Sequence, residues 1–267
     1  MFFFPSLNKK IFNKDILKYI FLLLLIIFLI FSPFIKKFVK LEKFSNNESR
    51  KNNAENNKLF VSKIIHQTAP SDKKKWHPLW FECQESWKKH FPSPEYKYVM
   101  WTDEDLDEFV KKEFKFFYNT YASYDANIKR IDVARYLILY KYGGIYADMD
   151  YKCFKNFYSY LPGDKISISE SPFKSNEYLQ NALMASPKGD SFWLDVIVEA
   201  EKRKGEKSIL YSTGPNLVSD VYKKNENKVN VLPIALFNPH KDSDEFKDDS
   251  KLYAKHLVTY SWKENKK

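Results

Sequence analysis

An amphipathic helix that runs through two glycines into a short apolar strand and an acidic pair constrains this chain more than any other stretch. From Ala126 to Tyr142, residues Ile128, Ile131, Ala134 and Ile138 recur at helical spacing, and Val133, Leu137 and Tyr140 widen the apolar face. Gly143-Gly144 is where such a helix stops, because glycine accepts the backbone of a helix terminus without a steric cost. Ile145 to Asp148 then reads as a strand that delivers Asp148-Met149-Asp150. At period two on a strand the two carboxylates point the same way. Two hard oxygen ligands on one face can hold a divalent cation, which in turn can grip a diphosphate. An Asp-x-Asp also arises by chance in many chains, so its meaning rests on its surroundings.

Those surroundings read as alternating strands and helices. Lys63 to Thr68 is an apolar-then-polar strand, ended by a turn at Pro70-Ser71-Asp72. A helix is expected over Pro78–His90, stopped by Pro92 and Pro94. Tyr96 to Trp101 alternates like a strand, and Thr102 then caps a helix with Asp105 as its capping-box partner. Further on come a strand at Lys165–Ser169, a helix at Asp190–Arg203 and a helix opened by Thr213-Gly214-Pro215. Val229–Pro233 and His256–Thr259 read as further strands. The pattern predicts an α/β domain over residues 59–267, with a mixed sheet flanked by helices and ligands at the carboxyl ends of its strands.

The first 58 residues are of another kind. After a short basic segment (1–18), Tyr19 to Ile35 is uncharged and nearly all apolar, at the lower limit for crossing a bilayer. Lysines flank it on both sides, and no small-x-small cleavage site follows, which favours an uncleaved transmembrane anchor over a signal peptide. Residues 36–58, rich in Asn, Lys, Glu and Ser, read as a polar stem. The lysine distribution leaves the orientation open, although a Golgi- or ER-type lumenal enzyme is the expectation carried forward.

The net charge of +10 suggests a nucleic-acid partner until it is divided. Residues 1–58 hold eleven Lys and Arg against four Asp and Glu, so the rest of the chain is only +3. The basic character belongs to the membrane-proximal part, and no nucleic-acid partner is expected. Two cysteines, Cys83 and Cys153, are too few for a disulfide framework or a cysteine-built zinc site, and read as ordinary buried residues.

Asp132 and Arg135 stand three apart on the helix that precedes the acidic strand, a spacing that suits a simple surface ion pair worth a few tenths of a kcal/mol. Aimed into one cleft, the same carboxylate and guanidinium suit a polyhydroxylated, phosphate-bearing ligand. The run Arg130-Ile131-Asp132-Val133-Ala134-Arg135-Tyr136, continued to Gly143-Gly144-Ile145-Tyr146-Ala147-Asp148-Met149-Asp150, resembles the signature of the family 32 glycosyltransferases with a DXD sugar-binding region. These are relatives of yeast initiating α-1,6-mannosyltransferases and inositol-phosphoceramide mannosyltransferases. Lys63 to Thr68, Trp101-Thr102-Asp103, Asn181 to Ser186, Thr213-Gly214-Pro215 and His256 with Ser261-Trp262 resemble further elements of that family in the same order.

The resemblance implies a GT-A-type nucleotide-sugar-binding fold behind a single transmembrane helix, and a retaining hexosyltransferase. It implies that Asp150, with Asp148, His256 and Ser261, ligates Mn2+ or Mg2+. It places Asp132, Arg135, Asp148, Asn181 and Trp262 on the donor, with His66, Gln67 and Thr68 bordering the nucleotide. GDP-mannose is the first donor expected and a UDP-hexose the next; the acceptor is a glycan or glycolipid. No carboxylate stands out as a nucleophile for double displacement, so front-side transfer is expected and no catalytic base is assigned. A non-catalytic, membrane-tethered sugar- or nucleotide-binding protein is the alternative. The acidic segment between Pro239 and Ser250 matches nothing in the family and reads as a loop on the acceptor side.

Overall fold

A computed structural model describes residues 18–23, 60–173 and 178–259. The chain divides into two units, Met1–Asn47 and Glu48–Lys267. In the first unit, residues 18–23 are helical and exposed. Among the described residues no helix is long and apolar enough to cross a membrane. Most of the expected span 19–35, and all of the stem 36–58, lie outside the described residues.

The second unit opens with β1 (Ile64–Thr68), α1 (Pro78–His90), β2 (Lys97–Trp101) and α2 (Asp103–Glu113). Then come α3 (Asn127–Tyr142), β3 (Gly144–Ala147), β4 (Tyr151–Cys153), β5 (Ile166–Glu170) and β6 (Leu179–Ser186). Helices α4 (Phe192–Lys202) and α5 (Pro215–Tyr222) and strands β7 (Val229–Leu232) and β8 (Ala254–His256) complete it. Six strands form one mixed sheet in the order β2-β1-β3-β6-β5-β7, and β4 pairs with β8 in a separate antiparallel ribbon. Strands β2, β1 and β3 are mutually parallel, so their carboxyl ends lie at one edge.

Local chemistry accounts for several boundaries. Pro78 opens α1 where its missing N–H costs nothing, and the His77 ring caps the Leu79 N–H. Thr102 and Asp105 exchange both hydrogen bonds of a capping box at the start of α2. Gly144 takes a φ of +93°, and a Cβ there would lie 2.5 Å from the Ile64 carbonyl oxygen. Only glycine permits that close approach of β3 to β1.

The sheet sorts its residues by parity. Ile65, Ile145, Ala147, Leu183 and Ala185 face a core built with Trp87, Phe91, Tyr151, Phe157 and Phe237. Tyr146 faces the other way, toward α3, where Arg135 lies over its ring at 4.7 Å. Helix α3 packs on α4 through Tyr136 and Trp193, stacked at 5.7 Å and 9°. Cys83 and Cys153 are buried free thiols.

Two strands exceed what pattern reading supplies. All eight residues of β6 are buried, so it shows no alternation. The ribbon strand β4 is only three residues long. The expected strand at His256–Thr259 is shifted: β8 ends at His256. The acidic segment forms a short helix at Asp244–Lys247, and the Lys255 ammonium ties it down, 3.0 Å from the Phe246 carbonyl and 2.6 Å from Asp249.

Candidate active site

The strand β3 ends at Ala147, one residue before the acidic pair. Asp148 to Asp150 form a tight turn closed by the Tyr151 N–H on the Asp148 carbonyl at 3.0 Å. The expectation that the period of a strand points the two carboxylates the same way is therefore corrected in its cause: a turn, not a strand, brings them together. Met149 between them is buried in a cluster with Ala69, Trp76 and Trp80, which turns both carboxylates away from that cluster. Asp148, Asp150 and His256 offer ligand atoms that all lie within 4.8 Å of one another.

Asp150 is held from the C-terminal side. His256 Nε2 lies 3.0 Å from its Oδ1, while the Thr259 N–H and hydroxyl donate to Oδ2 at 2.8 and 3.0 Å. The ribbon sets this up: His256 pairs with Tyr151, next to Asp150, and its ring stacks on the Tyr151 ring at 5.1 Å. Val258 sits between these contacts at φ +48°, a left-handed backbone that a β-branched residue adopts at a cost of roughly 1–3 kcal/mol. Burial works against the Asp150 charge, yet His256 and the Thr259 donors hold its carboxyl well below the usual carboxylate range. Burial likewise works against a charged His256, but Asp150 outweighs it and raises the imidazole above its ordinary value. The buried Nδ1 of His256 has no hydrogen-bond partner among the described residues.

Asp148 is held from the other side. Arg135 Nη1 lies 3.0 Å from Asp148 Oδ1, and the Tyr146 hydroxyl donates to the same oxygen at 2.8 Å. Thr68 Oγ1 meets that hydroxyl at 3.0 Å. Gln67, on the opposite face of β1, donates to the Asp148 carbonyl at 3.1 Å and accepts from the Tyr98 hydroxyl. Burial lifts the Asp148 carboxyl above its ordinary value in spite of Arg135.

Behind Asp148 lies a buried polar network. Asp132 Oδ1 accepts from Asn181 Nδ2 at 2.9 Å and lies 3.3 Å from Arg135 Nη2, and Oδ2 accepts from the Thr213 hydroxyl at 3.0 Å. Asn181 also donates to the Tyr136 hydroxyl, and its carbonyl accepts from Arg135 at 2.9 Å. Burial pushes Asp132 up to about 6 against the pull of Arg135. The pair is thus no surface bridge; it joins α3 to β6 and to the acidic turn.

The sequence-expected residues fall into three groups. Asp132, Arg135, Asn181 and Asp148 form one bonded network, which Thr68 joins through Tyr146 and Gln67 through the Asp148 carbonyl, and Asp150 with His256 lies within 4.8 Å of it at Asp148. His66 does not touch that network: Trp101 Nε1 donates to its Nδ1 at 3.2 Å and its Nε2 lies 3.0 Å from the Gly143 carbonyl. Ser261 and Trp262 lie outside the described residues.

Four contributing residues escaped sequence reasoning: Tyr146, Thr259, Thr213 and Tyr136. Tyr146 had a signal, since period two puts it on the face of Asp148. Thr213 marked a helix start, but nothing local shows that its hydroxyl reaches a carboxylate 81 residues away.

Residues 78–173 match the family model described as a glycosyltransferase sugar-binding region containing a DXD motif. The match covers the segment whose motifs carry the resemblance. Two curated relatives carry it further. The chain is 34% identical over 174 residues to inositol phosphoceramide mannosyltransferase 3 of Schizosaccharomyces pombe, covering 62% of this chain and 46% of the relative. It is also 34% identical over 175 residues to a mannosyl phosphorylinositol ceramide synthase of Saccharomyces cerevisiae, covering 62% and 43%. The chain thus spans a little under half the length of these relatives. Among solved structures, PaToxG glycosyltransferase aligns with a TM-score of 0.51 and 18% identity, over 72% of this chain and 80% of that one. This likeness concerns the fold, and it agrees with a GT-A-like mixed sheet.

Proposed function

We propose that this protein is a membrane-anchored, metal-dependent, retaining glycosyltransferase that moves a hexose from a nucleotide sugar to a glycolipid or glycan acceptor. The observation that carries the reading is the convergence of Asp148, Asp150 and His256 beside Arg135, where the parallel strands end. Mannose is the first choice of sugar and a glycolipid the first choice of acceptor, because one relative is named an inositol phosphoceramide mannosyltransferase and the other a mannosyl phosphorylinositol ceramide synthase.

Two carboxylates and an imidazole form a donor set that suits Mn2+, with Mg2+ the harder alternative. The orphaned Nδ1 of His256 and the closely spaced ligand atoms fit such a group. Asp150, Asp148 and His256 would hold it, joined by Ser261. When bound, the cation supplies Lewis-acid stabilisation of the leaving diphosphate.

The remaining work belongs to the chain. Arg135 and Tyr146 orient Asp148 so that its carboxylate accepts from hydroxyls of the sugar and ribose. Asp132 and Asn181 hold Arg135 in place and border the sugar, and Thr68 supports Asp148 through Tyr146; Gln67 and His66, expected beside the nucleotide, are buried with their polar atoms committed within the protein and act by shaping the strand end instead. Both Asp132 oxygens already accept hydrogen bonds within the protein, which leaves them poorly placed to attack an anomeric carbon. That supports front-side transfer, in which the leaving phosphate takes the acceptor proton. The apolar run at 19–35 supports the anchor, and the lumenal side follows from the resemblance alone.

The test is a melting-temperature screen of the full chain in detergent against GDP-mannose and UDP-hexoses, with and without Mn2+. A ligand at 100 times its Kd stabilises by about 2.7 kcal/mol, which moves the melting temperature by several degrees. A Mn2+-dependent rise with one donor, followed by transfer to a glycolipid, is expected. No response to any donor would sink the reading, and binding without turnover over a broad acceptor panel would favour the tethered binding protein.

A further inference from the structure

The loop that leaves β1 carries three lysines followed by an aromatic-apolar run, Lys73-Lys74-Lys75-Trp76-His77-Pro78-Leu79-Trp80-Phe81. We propose that this face of the domain lies against an anionic lipid bilayer.

The lysines are presented outward. They form a single 3-10 turn, Asp72 caps it by accepting from the Lys74 N–H at 3.0 Å, and all three side chains are exposed. Among the described residues none of the three makes an ion pair. Several other basic groups are spent on neighbouring carboxylates, among them Lys88 on Glu85, Lys152 on Glu82, and Lys202 and Arg203 on Glu199; what sets the three lysines apart is that they are consecutive and adjoin exposed apolar side chains. Unpaired ammonium groups beside apolar side chains are what an anionic headgroup layer attracts.

The apolar component adjoins the lysines directly. The Lys73 ammonium lies 5.4 Å from the centre of the Trp76 ring, and that ring meets Phe81 at 5.1 Å. Phe81 is 43% exposed and Leu79 39%, both on the first turn of α1. Other exposed apolar residues differ in setting: Tyr211, next to Leu210, is covered by Arg203 at 4.1 Å, itself committed to Glu199 and Asp220.

What lies beneath the patch gives it meaning. Trp76 and Trp80 are buried with Ala69 and Met149, and Met149 is the central residue of the acidic turn. Trp80 Nε1 donates at 3.3 Å to the Thr259 hydroxyl, which holds Asp150. The lysine-aromatic surface is therefore one buried layer away from the acidic turn that carries Asp148 and Asp150. A domain docked there keeps its site close to the bilayer that would hold a glycolipid acceptor, which rests on the function proposed above, and the charge selects an anionic surface over a neutral one.

Labels on the full-length chain test this. An environment-sensitive fluorophore is placed at Leu79→Cys or Phe81→Cys, or at Gly205→Cys, where a side chain meets nothing within 4 Å. The native thiols are buried, and the unsubstituted protein sets the background. Each protein is reconstituted into nanodiscs of phosphatidylcholine alone or with about a third phosphatidylinositol. Labels at 79 and 81 should shift to the blue and be quenched by doxyl lipid in the anionic discs, while the label at 205 stays water-like. The triple change K73E, K74E, K75E should abolish the shift. Labels at both 79 and 81 that stay water-like in anionic discs, or insertion that survives the charge reversal, would overturn the proposal. Insertion should persist in Asp150→Asn, so failure here is separable from failure of the donor-site reading.

Discussion

Arg135 and Asp148 are joined at 3.0 Å by one arm of a guanidinium whose other arm lies 3.3 Å from Asp132. One side chain thus fixes the acidic turn relative to α3. Breaking a buried pair by removing one partner typically costs about 3–5 kcal/mol, because a charge is left without compensation. Arg135→Ala is expected to destabilise by that amount in chemical denaturation. Arg135→Lys should lose less stability, yet both variants should lose the melting response to donor, since an ammonium cannot span the two carboxylates.

Tyr146 connects Thr68, Asp148 and Arg135. Tyr146→Phe retains the ring under Arg135 and removes only the hydroxyl. The expected stability loss is about 1–2 kcal/mol. Donor affinity should fall roughly ten-fold, equivalent to one lost charge-assisted hydrogen bond, as titration calorimetry with the nucleotide sugar would show.

Asp150→Asn keeps the volume and part of the hydrogen bonding to His256 and Thr259 while removing a negative charge. The fold should survive, with Mn2+-dependent stabilisation abolished. Turnover is expected to fall on the order of 100-fold or more, as for the loss of several kcal/mol of leaving-group stabilisation. Wild-type turnover by this variant would overturn the metal assignment.

His66 governs part of the acid sensitivity. Burial lowers its pKa to about 4, and the Trp101 and Gly143 contacts suit the neutral ring. An unfolded histidine titrates near 6.5. Below that pH the unfolded chain takes up a proton that the folded ring refuses, so stability is complete above about 6.5 and is lost as pH falls through about 4. The whole window is worth about 3 kcal/mol. His66→Gln, which can donate and accept at the same two positions without titrating, should flatten denaturation midpoints between pH 6.5 and 4.

Gly144→Ala would place a Cβ 2.5 Å from the Ile64 carbonyl at a φ of +93°. The β1–β3 pairing must then shift, and a loss of more than about 3 kcal/mol is expected in denaturant titration.

How much of this could be read in advance varied with distance along the chain. Helix α1 falls on its expected limits, and the Thr102 capping box, the end of α3 at Gly143 and the Pro215 helix start all hold, because each is decided within one turn of backbone. The acidic pair, Asp132 and Arg135 were legible as residue types with suitable spacing, whereas His256 entered only through the family resemblance. Strand β6 was not legible as a strand, since burial on both faces erases the alternation that marks one.

Other relationships have no local expression. Thr259 reaches Asp150 across 109 residues, and Trp101 reaches His66 across 35. Such partners are chosen by which strand ends and which loop the fold brings together. The same Asp132–Arg135 spacing suits a solvated surface pair or a buried bridge to Asp148, and only the packing of α3 against β6 makes it the bridge. Capping, helix ends and the identity of the acidic chemistry were written in short stretches of this chain, because those free energies arise between neighbours. The division of histidines, one locked into the sheet and one at the carboxylates, came from long-range packing, because burial and hydrogen-bond satisfaction depend on the whole domain.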